Sequence, residues 1–303
     1  MSKYLVTGGA GFIGTNIVKL LMAEGHEVVV LDNYAGGKHE ERFHSGAEYI
    51  DGDIRNDEDL DKACQGVFGI FHLAALPRIT FSVDNPWLSH DVNVNGTVKV
   101  LLAAMRNKVK RVVFSSSSST YGDQPVMPLK EDMVKLPISP YAMHKFACEH
   151  YCRIFSSIYG IETVSLNYVN VYGPYFDPEG PYALVVGKFI KQRKEGTPLT
   201  ICGDGEFFRD FVHVLDVAKA NLQAMQSPKV GKGEVINVGN GRSFSVNQLA
   251  GIIGGPTQFV PERPGDVRRT EADISLAKEL LDWEPTIKFE DGVAELKREW
   301  GIE

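Results

Sequence analysis

Lys3-Tyr4-Leu5-Val6-Thr7-Gly8-Gly9-Ala10-Gly11-Phe12-Ile13-Gly14 is the stretch that decides how this chain folds. A short apolar strand runs into a glycine-rich turn, and an apolar helix follows to about Glu24. Gly9-x-Gly11-x-x-Gly14 fits the dinucleotide-binding fingerprint; Gly8-x-x-Gly11-x-x-Gly14 fits a second, shifted version of it. In either register the glycines allow a tight turn and let backbone approach a pyrophosphate. They also aim the helix N-terminus, with Phe12 and Ile13, at that anion. The second strand ends in Asp32, 18 residues beyond Gly14, near the spacing at which an acid binds an adenine-ribose hydroxyl. Asp32 repels a 2′-phosphate and no Arg follows it, which favours NAD over NADP.

Outward from that turn, short apolar strands alternate with helical patterns. The strands are Lys3–Thr7, Glu27–Asp32, Ala47–Asp51, Gly69–Leu73, Arg111–Ser115 and Glu162–Asn167. The long helices are Phe12–Glu24, Pro86–Asn107 and Pro140–Tyr159, the last stopped by Gly160. Such alternation, with near-continuous apolar strands, predicts a doubly wound parallel sheet of the Rossmann type. Helix Asp216–Gln226 and strand Glu234–Val238 read as a return to that sheet. Residues 173–211 are rich in Gly, Pro and aromatics around one helix, Ala183–Lys194. After Gly239 come short elements: helix Val246–Ile253, strand Thr257–Val260, and helices Ile274–Leu281 and Asp291–Trp300. The expected organisation is a cofactor domain of residues 1–172 with 212–238, and a smaller α/β substrate lobe of 173–211 with 239–303.

Composition sets the bounds. The 303 residues are 43% hydrophobic and 23% charged, as in an ordinary globular protein. The net charge of −7, without any Lys/Arg block, argues against nucleic acid and anionic membranes. No apolar run is long enough to span a bilayer, and a strand follows Met1 too closely for a signal peptide, so the cytoplasm is the expected compartment. Four cysteines are too few for a disulfide framework. His144, Cys148 and Cys152 share a helix face, but no second ligand cluster supports them, so they read as packing and no metal is expected.

Three further strand ends fall on the ligand-binding edge of such a sheet. Asp53, in Asp51-Gly52-Asp53-Ile54, can accept from an adenine amine. Small Ala74 and Ala75 leave space for the cofactor backbone. The strand Arg111-Val112-Val113-Phe114 opens into Ser115-Ser116-Ser117-Ser118-Ser119-Thr120-Tyr121-Gly122. Hydroxyls at the end of a buried strand suit a site that bonds a substrate oxygen losing its proton. Downstream, Ser139 reads as a helix N-cap and Pro140 as the first helical residue. Tyr141 and Lys145 then share a helical face. An ammonium beside a phenol favours the phenolate: moving a tyrosine from ~10 to ~7 needs roughly 4 kcal/mol of charge stabilisation. Tyr141 is therefore expected to accept a proton at neutral pH.

These blocks together resemble the extended short-chain dehydrogenase/reductase family, specifically its NAD-dependent nucleotide-sugar epimerases and dehydratases. The likeness covers essentially the whole chain. It rests on Thr7–Gly14, Leu31-Asp32-Asn33, His72–Ala75, Asn93-Val94-Asn95-Gly96-Thr97, Ser115–Gly122, Tyr141–Lys145, Asn170–Pro174, Arg209-Asp210-Phe211 and Arg263–Asp266. The resemblance implies Tyr141 as acid/base, Lys145 as its electrostatic partner and nicotinamide-ribose ligand, and Ser117 as the hydroxyl on the sugar O4. It implies cofactor contacts from Gly8, Gly11, Gly14, Asn33, Ile54, Leu73, Asn95, Ser115 and Tyr168. For a UDP-sugar it implies Ser119 and Asn170 near the sugar or diphosphate, Arg209 and Arg263 on the diphosphate, and Asp266 on the uridine ribose. Thr270 would face the C2 substituent, its small side chain leaving room for an N-acetyl group.

The likeness also separates reactions. Sugar 4,6-dehydratases typically carry Asp and Glu where this chain has Ser118 and Ser119, and UDP-glucuronate decarboxylases usually carry Glu at the position of Ser119. The serine run instead resembles the UDP-hexose 4-epimerases, particularly those accepting N-acetylated sugars. Asn167 departs from the family, standing where many relatives have Arg. Arg78 departs too, and its cation keeps uronic acid sugars open. A dehydratase, decarboxylase or ketoreductase, or a non-catalytic NAD-sensing regulator, are the competing expectations. A homodimer through helices 86–107 and 140–159 is implied by the same likeness.

Overall fold

The computed structural model describes residues 1–176, 185–262 and 267–302. β1 (Lys3–Thr7), β2 (Glu27–Asp32), β3 (Glu48–Asp51), β4 (Gly69–His72), β5 (Arg111–Ser117) and β6 (Glu162–Tyr168) enter one sheet. β7 (Asn170–Tyr172), β8 (Leu199–Cys202) and β9 (Phe208–His213) leave it, and β10 (Lys232–Val238) returns. The order is β10-β6-β5-β4-β1-β2-β3, every pair parallel. This is the expected Rossmann-type α/β sheet. The chain winds one way from β1 to β2 and the other way through β4, so a crevice opens at the carboxyl ends of β1 and β4.

Alternation along the strands divides the core into two faces. Tyr4, Val6, Val28 and Val30 pack with Ile17, Leu21 and Val217 from helices Phe12–Ala23 and Val214–Gln226. Leu5, Val29, Leu31 and Ile70 pack on the other side with Leu60, Leu101, Cys148 and Cys152. Those residues come from helices Asp57–Ala63, Gly96–Arg106 and Pro140–Tyr159. No helix among the described residues is long and apolar enough to cross a membrane.

Beyond β10 lie β11 (Ser243–Ser245), β12 (Thr257–Val260) and β13 (Arg269–Thr270). β9 is the hub of a second sheet, pairing with β7, β11 and β13, while β8 pairs with β12. Phe211 and Phe244 there pack on Phe289, with Phe211 and Phe289 stacked at 4.7 Å between ring centroids. Residues 173–211 thus hold β8 and the first part of β9 besides helix Val185–Lys194, more structure than their composition suggests.

The helix expected over 86–107 is interrupted. Pro86–His90 and Gly96–Arg106 are separated by a π-helical turn, Asp91–Asn95. Within that turn the Asn93 carbonyl accepts from the Thr97 hydroxyl (2.6 Å) and the Cys148 thiol (3.2 Å).

Candidate active site

The crevice above β1 and β4 is a cleft of about 710 Å³. The glycine loop forms one wall. Gly8 has φ +72°, and a Cβ on Gly14 would lie 2.2 Å from the Gly8 carbonyl oxygen. Gly8, Gly11 and Gly14, the shifted register, line the cleft, whereas Gly9 sits behind them against the Val30 side chain (2.7 Å from a Cβ) and the Val6 carbonyl oxygen (3.1 Å). Gly11 caps helix Phe12–Ala23 without a side-chain hydrogen bond, and no acid stands in its first turn. The amides of Phe12, Ile13 and Gly14 therefore end bare at the cleft, where they suit an anion.

Asp32 binds the loop itself. One carboxylate oxygen accepts from the Ala10 amide (3.0 Å) and the other from the Tyr34 amide (2.8 Å). Burial pushes its pKa up while those two amides pull it down. Each oxygen keeps a lone pair for a diol. Asp53 lines the cleft too, but its acceptor sites are already engaged. Arg55 donates to it from the backbone, Nε and Nη2 at 2.8–2.9 Å, and Asn33 Nδ2 donates at 3.0 Å. The Arg55 hydrogen bonds hold its pKa at about 2. As it stands, this carboxylate has no free acceptor for an adenine amine; it organises Arg55 and Asn33 instead.

Leu73, Ala74, Ala75 and Ile54 line the cleft as expected, together with Ser115, Tyr168 and Asn33. Asn95 does not. It is exposed on the π turn, with its amide on Asp91 (2.9 Å). Asn93 does the work at this corner: its Oδ1 accepts from the Leu76 amide (2.7 Å) and its Nδ2 donates to the Leu76 carbonyl (3.1 Å). The two asparagines are indistinguishable in Asn93-Val94-Asn95; helical phase across a π turn separates them.

Tyr141, Lys145 and Ser117 meet in the same cleft. Ser139 caps their helix, accepting from Ala142 N at 3.2 Å, and Gly160 ends it in the left-handed conformation. Lys145 Nζ donates to the Ser115 carbonyl (2.7 Å) and lies 4.8 Å from the Phe114 ring centroid but 5.9 Å from that of Tyr141. Burial lowers its pKa to about 8. Tyr141 behaves opposite to expectation: burial pushes its phenol up to about 12, and the Ser117 hydroxyl offsets this only in part. The sequence shows Lys145 one turn away but not how deep both groups lie. Ser117 Oγ accepts from the Ser119 amide (3.2 Å) and the Ser119 hydroxyl (2.9 Å). With both lone pairs taken, Ser117 has its own proton to give. Ser115 Oγ and Tyr168 Oη share a 3.0 Å hydrogen bond, which Tyr168 extends to Asn221 (2.9 Å).

Of the expected sugar-nucleotide residues, Asn170, Arg209 and Thr270 lie on the second sheet, and Ser119 lies in the 3-10 turn that follows β5. Arg209 and Thr270 are register partners, and Asn170 stands opposite Phe211. Asn170 Nδ2 donates to the Asp210 carbonyl (2.8 Å), Arg209 donates to the Phe208 carbonyl (2.9 Å), and Thr270 Oγ1 is buried. None of the three lines the cleft itself. Arg263 and Asp266 fall outside the described residues. Sequence reasoning missed Arg42, Val92 and Phe176 on the cleft wall; Phe176 carries no sequence signal, being brought in by the turn after β7. Among the described lining residues the only carboxylates are Asp32 and Asp53, at the opposite end from Tyr141.

Comparison with known proteins gives a consistent answer. A family model described as the NAD dependent epimerase/dehydratase family matches residues 4–239. A UDP-glucose 4-epimerase of Mycolicibacterium smegmatis is 39% identical over 310 residues, covering 96% of each chain. Among solved structures, a UDP-glucose 4-epimerase with UDP-glucose from Thermotoga maritima is 38% identical with a TM-score of 0.92, covering 99% of this chain and 98% of that one. A UDP-N-acetylglucosamine 4-epimerase from Methanobrevibacter ruminantium, in complex with UDP-N-acetylmuramic acid, matches with the same identity, TM-score and coverage.

Proposed function

The chain belongs to the NAD-dependent epimerase/dehydratase family, and from that premise we propose that it interconverts the C4 epimers of a UDP-hexose, UDP-glucose and UDP-galactose first among them. UDP-N-acetylhexosamines fit the same reading through the small side chain of Thr270. The observation that carries it is the pairing of Tyr141 and Ser117 in a cleft whose only described carboxylates stand at the far end. Proton transfer from a sugar hydroxyl is provided for; elimination of water, which needs an acid beside Tyr141, is not.

The glycine cradle, the bare helix terminus and Asp32 fit NAD: backbone amides for the pyrophosphate, a carboxylate for the ribose. When bound, NAD supplies a hydride acceptor and donor, and its nicotinamide ring brings a positive charge. The protein's own residues do the rest. Tyr141 takes the proton of the 4-hydroxyl while the Ser117 hydroxyl donates to that sugar oxygen, and Tyr141 returns the proton when the 4-keto sugar is reduced from its other face. Lys145 fixes the Ser115 carbonyl and holds charge below the phenol. Arg209 and Arg263 pair with the diphosphate, for which a planar guanidinium is suited. Asn170 and Ser119 face the diphosphate and sugar, and Asp266 the uridine ribose. We take residues 1–172 with 212–238 as the cofactor domain and the remainder as the sugar-nucleotide lobe. A second reading, a UDP-uronate 4-epimerase, is favoured by Arg78 on the cleft wall.

Exposed Trp87, Met143, Ile154 and Ile158, on helices Pro86–His90 and Pro140–Tyr159, support a homodimer through this face. The cytoplasm is the compartment we assign. Purified enzyme without added NAD, incubated separately with UDP-glucose, UDP-N-acetylglucosamine and UDP-glucuronate, is expected to yield a C4 epimer of at least one. A stable keto product, net NADH, or no epimer from any of them refutes the assignment.

A further inference from the structure

Behind the serine run lies a buried ion pair that the proton transfer does not use. Lys135 and Glu149 bond Nζ to Oε2 at 2.5 Å, with side chains only 6% and 4% exposed. Glu149 follows Tyr141 and Lys145 at successive fourth positions, so all three share one face of helix Pro140–Tyr159. Lys135 arrives from the connection before that helix.

Every polar group in the cluster has a partner. Ser116 Oγ donates to Glu149 Oε1 at 2.5 Å. Asn167, with its amide oriented to suit its neighbours, donates to Ser116 Oγ (2.9 Å) and Glu149 Oε1 (2.8 Å) and accepts from Lys135 Nζ (2.9 Å). The Lys135 ammonium also lies 4.9 Å from the Tyr121 ring centroid. An ion pair this dry is a weak source of stability, because desolvating both charges cancels most of their attraction. Its placement suggests another use. Ser115 is tied to the helix through its carbonyl and Lys145, Ser116 through its hydroxyl and Glu149. The next residue is Ser117, which lines the cleft together with Tyr141.

We propose that Glu149 and Lys135 are positioning residues: Lys135 holds the Glu149 carboxylate against Ser116, and this tie sets the end of β5 where the Ser117 hydroxyl reaches the Tyr141 oxygen. The proposal rests on the reading of Tyr141 and Ser117 as the proton-transfer pair, but its geometry can be tested apart from turnover.

The cleanest probe is Ser116→Ala in the NAD-loaded enzyme, which removes the tie and leaves the ion pair whole. Turnover is expected to fall about tenfold or more, with KM and NAD content within about twofold of wild type. Independently of activity, the Cζ carbon resonance of labelled Tyr141, identified by its loss in Tyr141→Phe, reports the Ser117 hydrogen bond. It is expected to move in Ser116→Ala in the direction it moves in Ser117→Ala. Lys135→Met and Glu149→Gln each strand a buried partner and are expected to lose both thermal stability and turnover. The double variant keeps a carbonyl for Ser116 and no buried charge, and is expected to regain both. A Tyr141 resonance that shifts in Ser117→Ala but not in Ser116→Ala overturns the proposal, as does a double variant that regains stability without turnover. A shifted resonance in an enzyme that epimerises no UDP-sugar supports the positioning and refutes only the function assigned to the site.

Discussion

Gly8 and Ala74 meet backbone to backbone across the crevice between β1 and β4: a Cβ on Gly8 would lie 2.7 Å from the Ala74 nitrogen. The contact joins the glycine loop to the strand that carries the opposite wall, and Gly8 also has φ +72°. Gly8→Ala is therefore expected to combine left-handed strain of roughly 1–2 kcal/mol with a clash that pushes the walls apart. Co-purified NAD, released by denaturation and quantified, should fall several-fold, and the melting temperature should drop. Gly25→Ala is the control: it shares the positive φ (+78°) but has open space around it, so it should lose some stability and no NAD.

Tyr141→Phe should retain NAD and lose turnover by about 10²–10⁴-fold, the span for a removed acid/base. Ser117 lowers the phenol's pKa from the value set by burial. Since only the phenolate accepts the sugar proton, the rate rises with pH toward the Tyr141 pKa. Ser117→Ala should shift that limb to higher pH in a profile of kcat/KM. A limb at unchanged pH would separate Ser117 from the phenol.

Lys145 makes a stability prediction with a definite sign. Its folded pKa of about 8 lies below its ordinary 10.5. Burying the charged form thus costs most at and below pH 8, and the cost disappears as pH rises toward 10.5. Its ceiling is roughly 3 kcal/mol, reduced by the hydrogen bond to Ser115. Lys145→Met should gain in melting temperature relative to wild type at pH 7 and lose that advantage near pH 10, while being inactive at both.

Asn93→Ala removes two hydrogen bonds to Leu76 inside the fold and should cost roughly 1–3 kcal/mol along with NAD affinity. Asn95→Ala, at an exposed position, should stay within about 0.5 kcal/mol of wild type. Equal effects of the two substitutions on thermal melting would contradict the assignment of the corner to Asn93.

Where local chemistry decides the backbone, the sequence was readable. Helix Pro140–Tyr159 has its observed limits written in Ser139, Pro140 and Gly160, and β1 and β2 end at Thr7 and Asp32 as their apolar runs do. The π turn was not readable, because no residue in Asp91–Asn95 signals it, and the bonds Asn93 makes there to Leu76 and Cys148 join segments distant in the chain. The site divides the same way. Helical spacing brings Tyr141 and Lys145 to one face, but the depth that drives both away from their ordinary pKa values is a property of the packed sheet. Asp53 shows a third case: its position on the binding edge was legible, while its capture by Arg55 depends on side-chain geometry that residue order does not encode.

Asp32 serves two masters. The oxygens that would meet a ribose also bind the amides of Ala10 and Tyr34. Nucleotide choice and loop shape are thereby written in one side chain, so evolution cannot retune the first without renegotiating the second. Redesign toward a phosphorylated dinucleotide would have to begin by rebuilding the turn at Ala10, and only then add a cation.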